Sequence, residues 1–452
     1  MWGLMLRRLF ASYCVFLFLL SICAFAQNAP LLHETPKAAD SLVDSVGVNI
    51  HMTYWNTAYG NLAAVQSMLT TLGVRHVRDG AKYYASDPGY GIQEYEDYGA
   101  VSSLGIGFDL ILTQGTSPNP LNTAGMAMLQ GLAASQKVKV DFYEGPNEVD
   151  IQGDGNWIAD TRSFMQQVYP SIKANPGSSK IPVLGNSLAG AGSDWAALGN
   201  MTAYENFGNL HPYANTQYPS YNFATDAAQQ AAVSGAQTIY VTESGWSNAM
   251  EATDDSPNVT EDVSSRYVGR LFFETLLHGW PRTYVYELVD EDPDPGLTNT
   301  QQHFGLFRND YSAKPAATVV ANLISLMSDK GAAVAPVILT YTLETTSGNV
   351  HHLLFQKRDG SYWLVLWQEV SNWSGWNAQG TPIVNAEVPV TLTLQKEAVS
   401  IEEFLPLEST EVAYSFSGRN TVTLMVPDYP LLVEISFGSK GGKAARPAGM
   451  PE

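Results

Sequence analysis

Between Val46 and Met327 the sequence alternates short β-branched runs with longer stretches of helical period, eight times over. Parallel strands need a crossover long enough to hold a helix, so this rhythm describes a parallel sheet wrapped by helices. The strand candidates are Val46 to Ile50, Val74 to Arg78, Phe108 to Leu112, Val138 to Tyr143, Ile181 to Leu184, Asn209 to His211, Thr238 to Thr242 and Thr283 to Leu288. Leu62 to Leu72, Thr123 to Ala134, Ile158 to Ala174, Val263 to His278 and Lys314 to Met327 place apolar residues near helical spacing. Eight units predict an α/β fold of the (β/α)8 TIM-barrel type. Because the fifth and sixth strands are short, an open doubly wound sheet is the alternative. No Gly-x-Gly-x-x-Gly follows the first strand, which favours the barrel.

After Asp329 the helical period stops, and runs such as Val337 to Glu344, Tyr362 to Glu369, Val388 to Leu394 and Thr421 to Val426 alternate like antiparallel strands. Arg358-Asp359-Gly360-Ser361 is a hairpin turn between two of them. The division expected is a signal segment at 1–26, a catalytic barrel at 27–330, a β-sandwich from Gly331 to Phe437 and a disordered tail at 438–452. Ser328 to Pro336 is too short and too poor in Ser, Thr and Pro to be a free tether, so the two domains should pack directly. Leu31 to Asp44 is expected to join that interface. Trp363, Trp367, Trp373 and Trp376 offer a sugar platform or a buried face; the first two, four apart in a strand, point the same way.

Arg7 and Arg8 precede an apolar run from Leu9 to Cys23 and the small-x-small triplet Ala24-Phe25-Ala26, the pattern of a secretory signal cut before Gln27. A lipid anchor at Cys23 would want a small residue where Ile22 stands. Both cysteines, Cys14 and Cys23, leave with the signal, so a secreted or periplasmic chain would have to hold together by its core alone. With 45% hydrophobic and 15% charged residues that is feasible, and a disordered or collagen-like chain is ruled out. The formal charge, 24 − 44 = −20, repels phosphate backbones, so nucleic acid is not an expected partner and neutral substrates are. No later segment is long and apolar enough to span a bilayer.

In a barrel the chemistry belongs at the C-terminal ends of the strands. The fourth strand delivers Glu144-Gly145-Pro146-Asn147-Glu148, and the seventh delivers Glu243-Ser244-Gly245-Trp246. A single loop glutamate is usually just solvated. Here two stand at matching strand ends.

On these residues the sequence, over about residues 44 to 328, resembles the clan of retaining glycoside hydrolases with (β/α)8 barrels, in which Asn-Glu ends the fourth strand and a second Glu the seventh. The resemblance implies that Glu148 is the general acid/base, Glu243 the nucleophile and Asn147 a hydrogen-bond donor to the neighbouring sugar hydroxyl. It further implies that Arg78 steadies the nucleophile, and that His211-Pro212-Tyr213 supplies a tyrosine hydroxyl to it. Glu144, four residues earlier, is the alternative acid/base; the preceding Asn favours Glu148. The chain departs from commoner clan patterns in Val149-Asp150 after Glu148 and in Tyr286-Glu287 where many members carry Trp. A carbohydrate is the partner implied and no cofactor is. Rival readings are a carbohydrate-binding protein on an inactive barrel and a transglycosylase.

Glu287 to Asp294 forms an acidic loop, read as solvated, as a binder of sugar hydroxyls through Glu287, or as a calcium site lacking EF-hand spacing. Tyr54, Trp55, Tyr83, Tyr84, Trp157, Trp246 and Trp280 fall on candidate loops where aromatic rings suit sugar faces; Trp246, just after the nucleophile candidate, is the one taken as a substrate contact. No metal centre is expected from the histidines, since His351 and His352 are adjacent and not at ligand spacing. No P-loop or Gly-x-Ser-x-Gly elbow occurs.

Overall fold

The computed structural model describes residues 29–81, 88–112, 123–253, 256–332 and 334–438. The signal segment, Tyr83, Tyr84 and residues 439–452 lie outside the described residues.

Eight parallel strands run Val46–Asn49, His76–Ala81, Gly107–Leu112, Val140–Glu144, Val183–Leu184, Gly208–Leu210, Ile239–Ser244 and Thr283–Val285. Each pairs with its sequence neighbour, and the eighth pairs with the first, Thr283 opposite Val46. The remaining gap lies between the fifth and sixth, the two weakest in pattern. There a single parallel bridge, Leu184 to Phe207, closes the ring. The closure decides for a barrel against an open sheet. Helices follow the strands, among them Leu62–Leu72, Trp157–Ala174, Glu261–Leu277 and Pro315–Met327. Their limits are set locally: the Asn61 side chain caps the first amides of Leu62–Leu72, and Gly73 at φ 76° ends it in the left-handed region. Among the described residues no helix is long and apolar enough to cross a membrane.

The second domain is one mostly antiparallel sheet. Leu339–Glu344, Val388–Phe404, Leu431–Ser436, Tyr362–Gln368 and Val350–Gln356 lie side by side in that order, and Val412–Val426 pairs along Val388–Phe404. The segment before the barrel belongs to this sheet, which differs from the expected start of the barrel domain at 27. Leu32–Glu34 pairs with Leu339–Tyr341 at one edge, and Lys37–Ala38 with Phe355–Gln356 at the other. Glu34 and Lys37 are three residues apart, at most ~11 Å of extended chain. The two edges must therefore come together, and the sheet folds over itself as a sandwich.

Strand alternation explains how the sandwich serves two cores. Tyr362, Leu364 and Leu366 point into its own interior, whereas Trp363, Val365 and Trp367 join the core shared with the barrel. Trp367 packs on Phe273, ring centres 5.5 Å apart, and its Nε1 donates to Glu274 at 2.7 Å. Arg270 on the same helix donates to the carbonyls of Gln368 (2.6 Å) and Val370 (2.9 Å) and to Asn372 Oδ1 (2.8 Å). Glu261–Leu277 is consequently buried on nearly every side. Expressing Gln27 to Ser328 alone strips that helix of its cover, and each large side chain exposed forfeits about 1.5–3 kcal/mol. The expected product is insoluble, or melts more than ~10 °C lower by calorimetry; a soluble, fully active barrel would refute the packed interface.

Candidate active site

The C-terminal ends of the barrel strands open on a cleft of about 1210 Å³, walled by Arg78, Asn147, Glu148, Tyr213, Glu243 and Tyr286, among others. Arg78 is its fixed centre, 2% exposed in the middle of the second strand. Nε and Nη2 grip the two oxygens of Glu144, both at 2.7 Å. Nη1 donates to Glu243 Oε1 at 2.5 Å and to Asn49 Oδ1 at 2.9 Å, and Nη2 also to Asn147 Oδ1 at 2.6 Å. A buried guanidinium needs such anionic, bidentate partners to offset its lost hydration. Glu144 is fully buried and does not line the cleft; it neutralises Arg78 and also accepts from Asn209 Nδ2 at 2.9 Å.

Glu243 takes the Tyr213 hydroxyl on Oε2 at 2.8 Å and Arg78 on Oε1. Burial by itself would raise its pKa, but His211, Arg78 and Tyr213 outweigh that and lower it to about 2. Glu148, across the cleft, sits at φ 46°, a left-handed conformation unusual for a residue with a side chain. Its amide is held by the Ser187 carbonyl at 3.2 Å. One carboxylate oxygen of Glu148, one of Glu243 and a ring nitrogen of His211 all lie within 4.8 Å of one another.

His211 links the two acids. Asn209 Nδ2 donates to Glu144 and Gly185, so its Oδ1 must accept from the Thr242 hydroxyl, 2.6 Å away. Thr242 Oγ1 is then the acceptor for His211 Nε2 at 2.9 Å, which places a proton on that nitrogen. His211 Nδ1 faces Glu148 Oε1 at 2.6 Å, so a second proton sits between histidine and glutamate. Burial opposes a charge on His211, but Glu243 and Glu148 overcome it and raise its pKa.

Two expected contacts lie elsewhere. Trp246 is 3% exposed, tilted against Tyr267 with ring centres 5.2 Å apart and its Nε1 on the Gln217 carbonyl at 3.2 Å; it braces the loop and does not line the cleft. Gly245 turns the chain that way because the Tyr286 carbonyl passes where a Cβ would stand. Glu287 is fully buried behind Tyr286, accepting the Tyr59 hydroxyl at 2.8 Å, with His51 Nε2 at 3.4 Å; burial pushes its pKa well up. Of the other loop aromatics, Tyr54 lines the cleft, whereas Trp280 is core, tilted on Phe223 at 4.6 Å.

Apart from Glu287 and Glu291, the acids of this loop do not converge on one point. Asp290 pairs with Lys314 at 2.8 Å, and Asp294 accepts the amides of Thr298 and Asn299, both at 2.7 Å. Among the described residues, two groups bring three ligand atoms together: His51, Glu287 and Glu291, and Glu148, His211 and Glu243. In the second, the 2.6 Å contact of His211 with Glu148 is a hydrogen bond, closer than the ~3.3 Å between tetrahedral ligands of zinc.

No family model matches the chain, and no curated protein does. Solved structures do. One is a family 39 glycoside hydrolase from the gut symbiont Bacteroides cellulosilyticus WH2, with TM-score 0.59 and 15% identity over 89% of this chain and 83% of that one. A GH39 enzyme from Xanthomonas axonopodis pv. citri gives TM-score 0.58 and 14% identity over 89% and 96%. A monomeric beta-xylosidase from Caulobacter crescentus CB15 gives 0.55 and 14% over 89% and 97%. The chain shares their fold. The coverage spans barrel and sheet together, so the two-domain arrangement itself is the shared unit.

Asn49, Asn209, Thr242 and Asp109 belong to the floor of the site and escaped the sequence reading. All four are at most 1% exposed. Burial and the nearby Glu144 hold the Asp109 carboxyl far above its usual range. The available signal was a polar residue near the end of an apolar strand, as in Val46-Gly47-Val48-Asn49.

Proposed function

We propose that the protein is a secreted, retaining β-glycosidase acting on a neutral polysaccharide or oligosaccharide. The observation that carries this reading is the pair of carboxylates with oxygens within 4.8 Å, one of them ionised by Arg78 and Tyr213 and the other sharing a proton with His211. Retention requires two carboxyl groups ~5–5.5 Å apart. In the first step Glu148 donates its proton to the glycosidic oxygen as Glu243 attacks the anomeric carbon, giving a glycosyl ester and the free leaving alcohol. Ester formation removes the charge of Glu243. Glu148, now a carboxylate, takes a proton from water as the water oxygen displaces Glu243, and the configuration is restored. Asn147, its Oδ1 held by Arg78, offers Nδ2 to the neighbouring sugar hydroxyl. The names of proteins that share the fold, a family 39 glycoside hydrolase and a beta-xylosidase, support the same class. The cleft exceeds the ~300–1,000 Å³ of a site for one drug-sized ligand, which suits more than one sugar unit.

Assaying purified protein on β-linked aryl glycosides and glycans tests the reading; no cleavage of any would sink it. The Glu148→Ala variant is expected to lose about 10²–10⁴-fold on glycans with poor leaving groups and far less on activated aryl glycosides. Azide should restore its second step by replacing water. Equal losses on both substrate types would remove the acid/base role from Glu148.

A further inference from the structure

Three of the four sandwich tryptophans are packed away: Trp363, Trp367 and Trp373 are at most 3% exposed. Trp376 is 61% exposed, and beside it stands Tyr221 of the barrel, 45% exposed, with ring centres 6.3 Å apart and planes inclined at 67°. Tyr218 supports Tyr221 edge-on at 5.5 Å. Single exposed apolar residues are ordinary; a pair of large rings contributed by two domains is not.

The pair is built to hold still. Next to Trp376, the Gly375 carbonyl accepts from Thr216 Oγ1 of the barrel at 2.7 Å. Next to Tyr221, Ser220 is fixed by Glu369 of the sandwich, through its amide at 3.0 Å and its hydroxyl at 2.8 Å. Each domain thus anchors the other's ring. Buried Trp373 pins the hairpin from within, its Nε1 on the Asn377 carbonyl at 3.0 Å, and Gln379 ties the far side to Ala252 at 3.2 Å. Thr216, the residue that fixes Gly375, directly follows Asn215, which lines the cleft. The hairpin that carries Trp376 is thus bonded to the residue next to the cleft wall.

We infer that Trp376 and Tyr221 form a binding platform for the part of a neutral β-linked glycan that extends beyond the catalytic cleft. Aromatic faces meet the C–H faces of pyranose rings, and the inclination of the two gives separate surfaces to successive sugar units. The chain's charge of −20 disfavours acidic polymers. This inference deepens the glycosidase reading and rests on it for the ligand class.

The test compares full-length wild type, Trp376→Ala and Tyr221→Ala in native gels containing soluble β-1,4-xylan, laminarin or β-1,6-glucan, alongside kinetics on an aryl glycoside and on each polymer. Wild type is expected to be retarded in at least one gel, and each variant to bind that polymer about three- to tenfold more weakly. KM for the polymer should rise in step, while aryl-glycoside turnover stays within about twofold and melting within about 2 °C, since both rings are exposed. Retardation without any cleavage would support the platform and defeat the hydrolase reading. Cleavage with unchanged retardation of both variants, or no retardation of wild type in any gel, would overturn the platform.

Discussion

Replacing Glu243 with Gln is expected to reduce turnover by at least about 10⁴-fold while leaving the protein folded. The amide cannot form a glycosyl ester, so the loss should be equally deep on aryl glycosides and on glycans, unlike the leaving-group-dependent loss at Glu148. A fluorinated mechanism-based glycoside should add one sugar mass to the wild type on the peptide containing Glu243, and none to the variant. Labelling of a different carboxylate would displace the assignment. Stability should fall at neutral pH, because Arg78, His211 and Tyr213 favour the ionised carboxylate and the amide forfeits that contribution, while Arg78 keeps its bidentate pair with Glu144.

Arg78→Met has the largest expected effect on the fold. Removing a cation that is 2% exposed leaves Glu144 and Glu243 without their common partner, a loss of about 3–5 kcal/mol. The dependence on pH has a definite sign. In the wild type Glu243 has a folded pKa of about 2 against an ordinary 4.5, so its contribution is full above about 4.5 and fades as pH falls toward 2. Without Arg78 that pKa rises, with only His211 and Tyr213 left to oppose burial, so the carboxylate stabilises the variant less than the wild type at neutral pH, and the difference shrinks in acid, where it is protonated. The gap in urea midpoint between the two proteins should therefore be widest near pH 7 and narrow below about pH 4.5. A gap that does not change with pH would mean that Arg78 acts through packing alone.

Much of this site was readable before any coordinates, for reasons that are local. Strand period and chain order place Arg78, Glu148, His211 and Glu243 on or just after the second, fourth, sixth and seventh strands; Arg78, Glu148 and Glu243 line one cleft, and buried His211 reaches both glutamates. What was not readable depends on closure. Joining the eighth strand to the first sets His51 and Tyr59 against Glu287, residues more than two hundred positions away, and this turns an acidic loop carboxyl into a buried one. In sequence only the preceding Asn147 sets Glu148 apart from Glu144; the reach of Arg78 makes Glu144 the buried ion-pair partner and leaves Glu148 on the cleft. Trp246 follows the nucleophile candidate in the chain but turns away at Gly245. The sheet edges formed by residues 32–38 carry no signal at all, since so short a strand is recognisable only by its partner.

Those edge strands also impose a schedule on biosynthesis. His33 and Thr340, paired in the sheet and bonded at 2.9 Å, are 307 residues apart. A ribosome adding ~5–20 residues per second needs roughly 15–60 s to cover that interval. The barrel's helix Glu261–Leu277 is complete well before Trp367 exists to cover it. Throughout that time the nascent chain exposes an unpaired leading strand and an uncovered apolar helix, and only the last stretch to be translated can shield both. A stop or a frameshift between the barrel and Trp367 therefore yields a polypeptide that contains every proposed catalytic side chain yet is marked for aggregation or degradation.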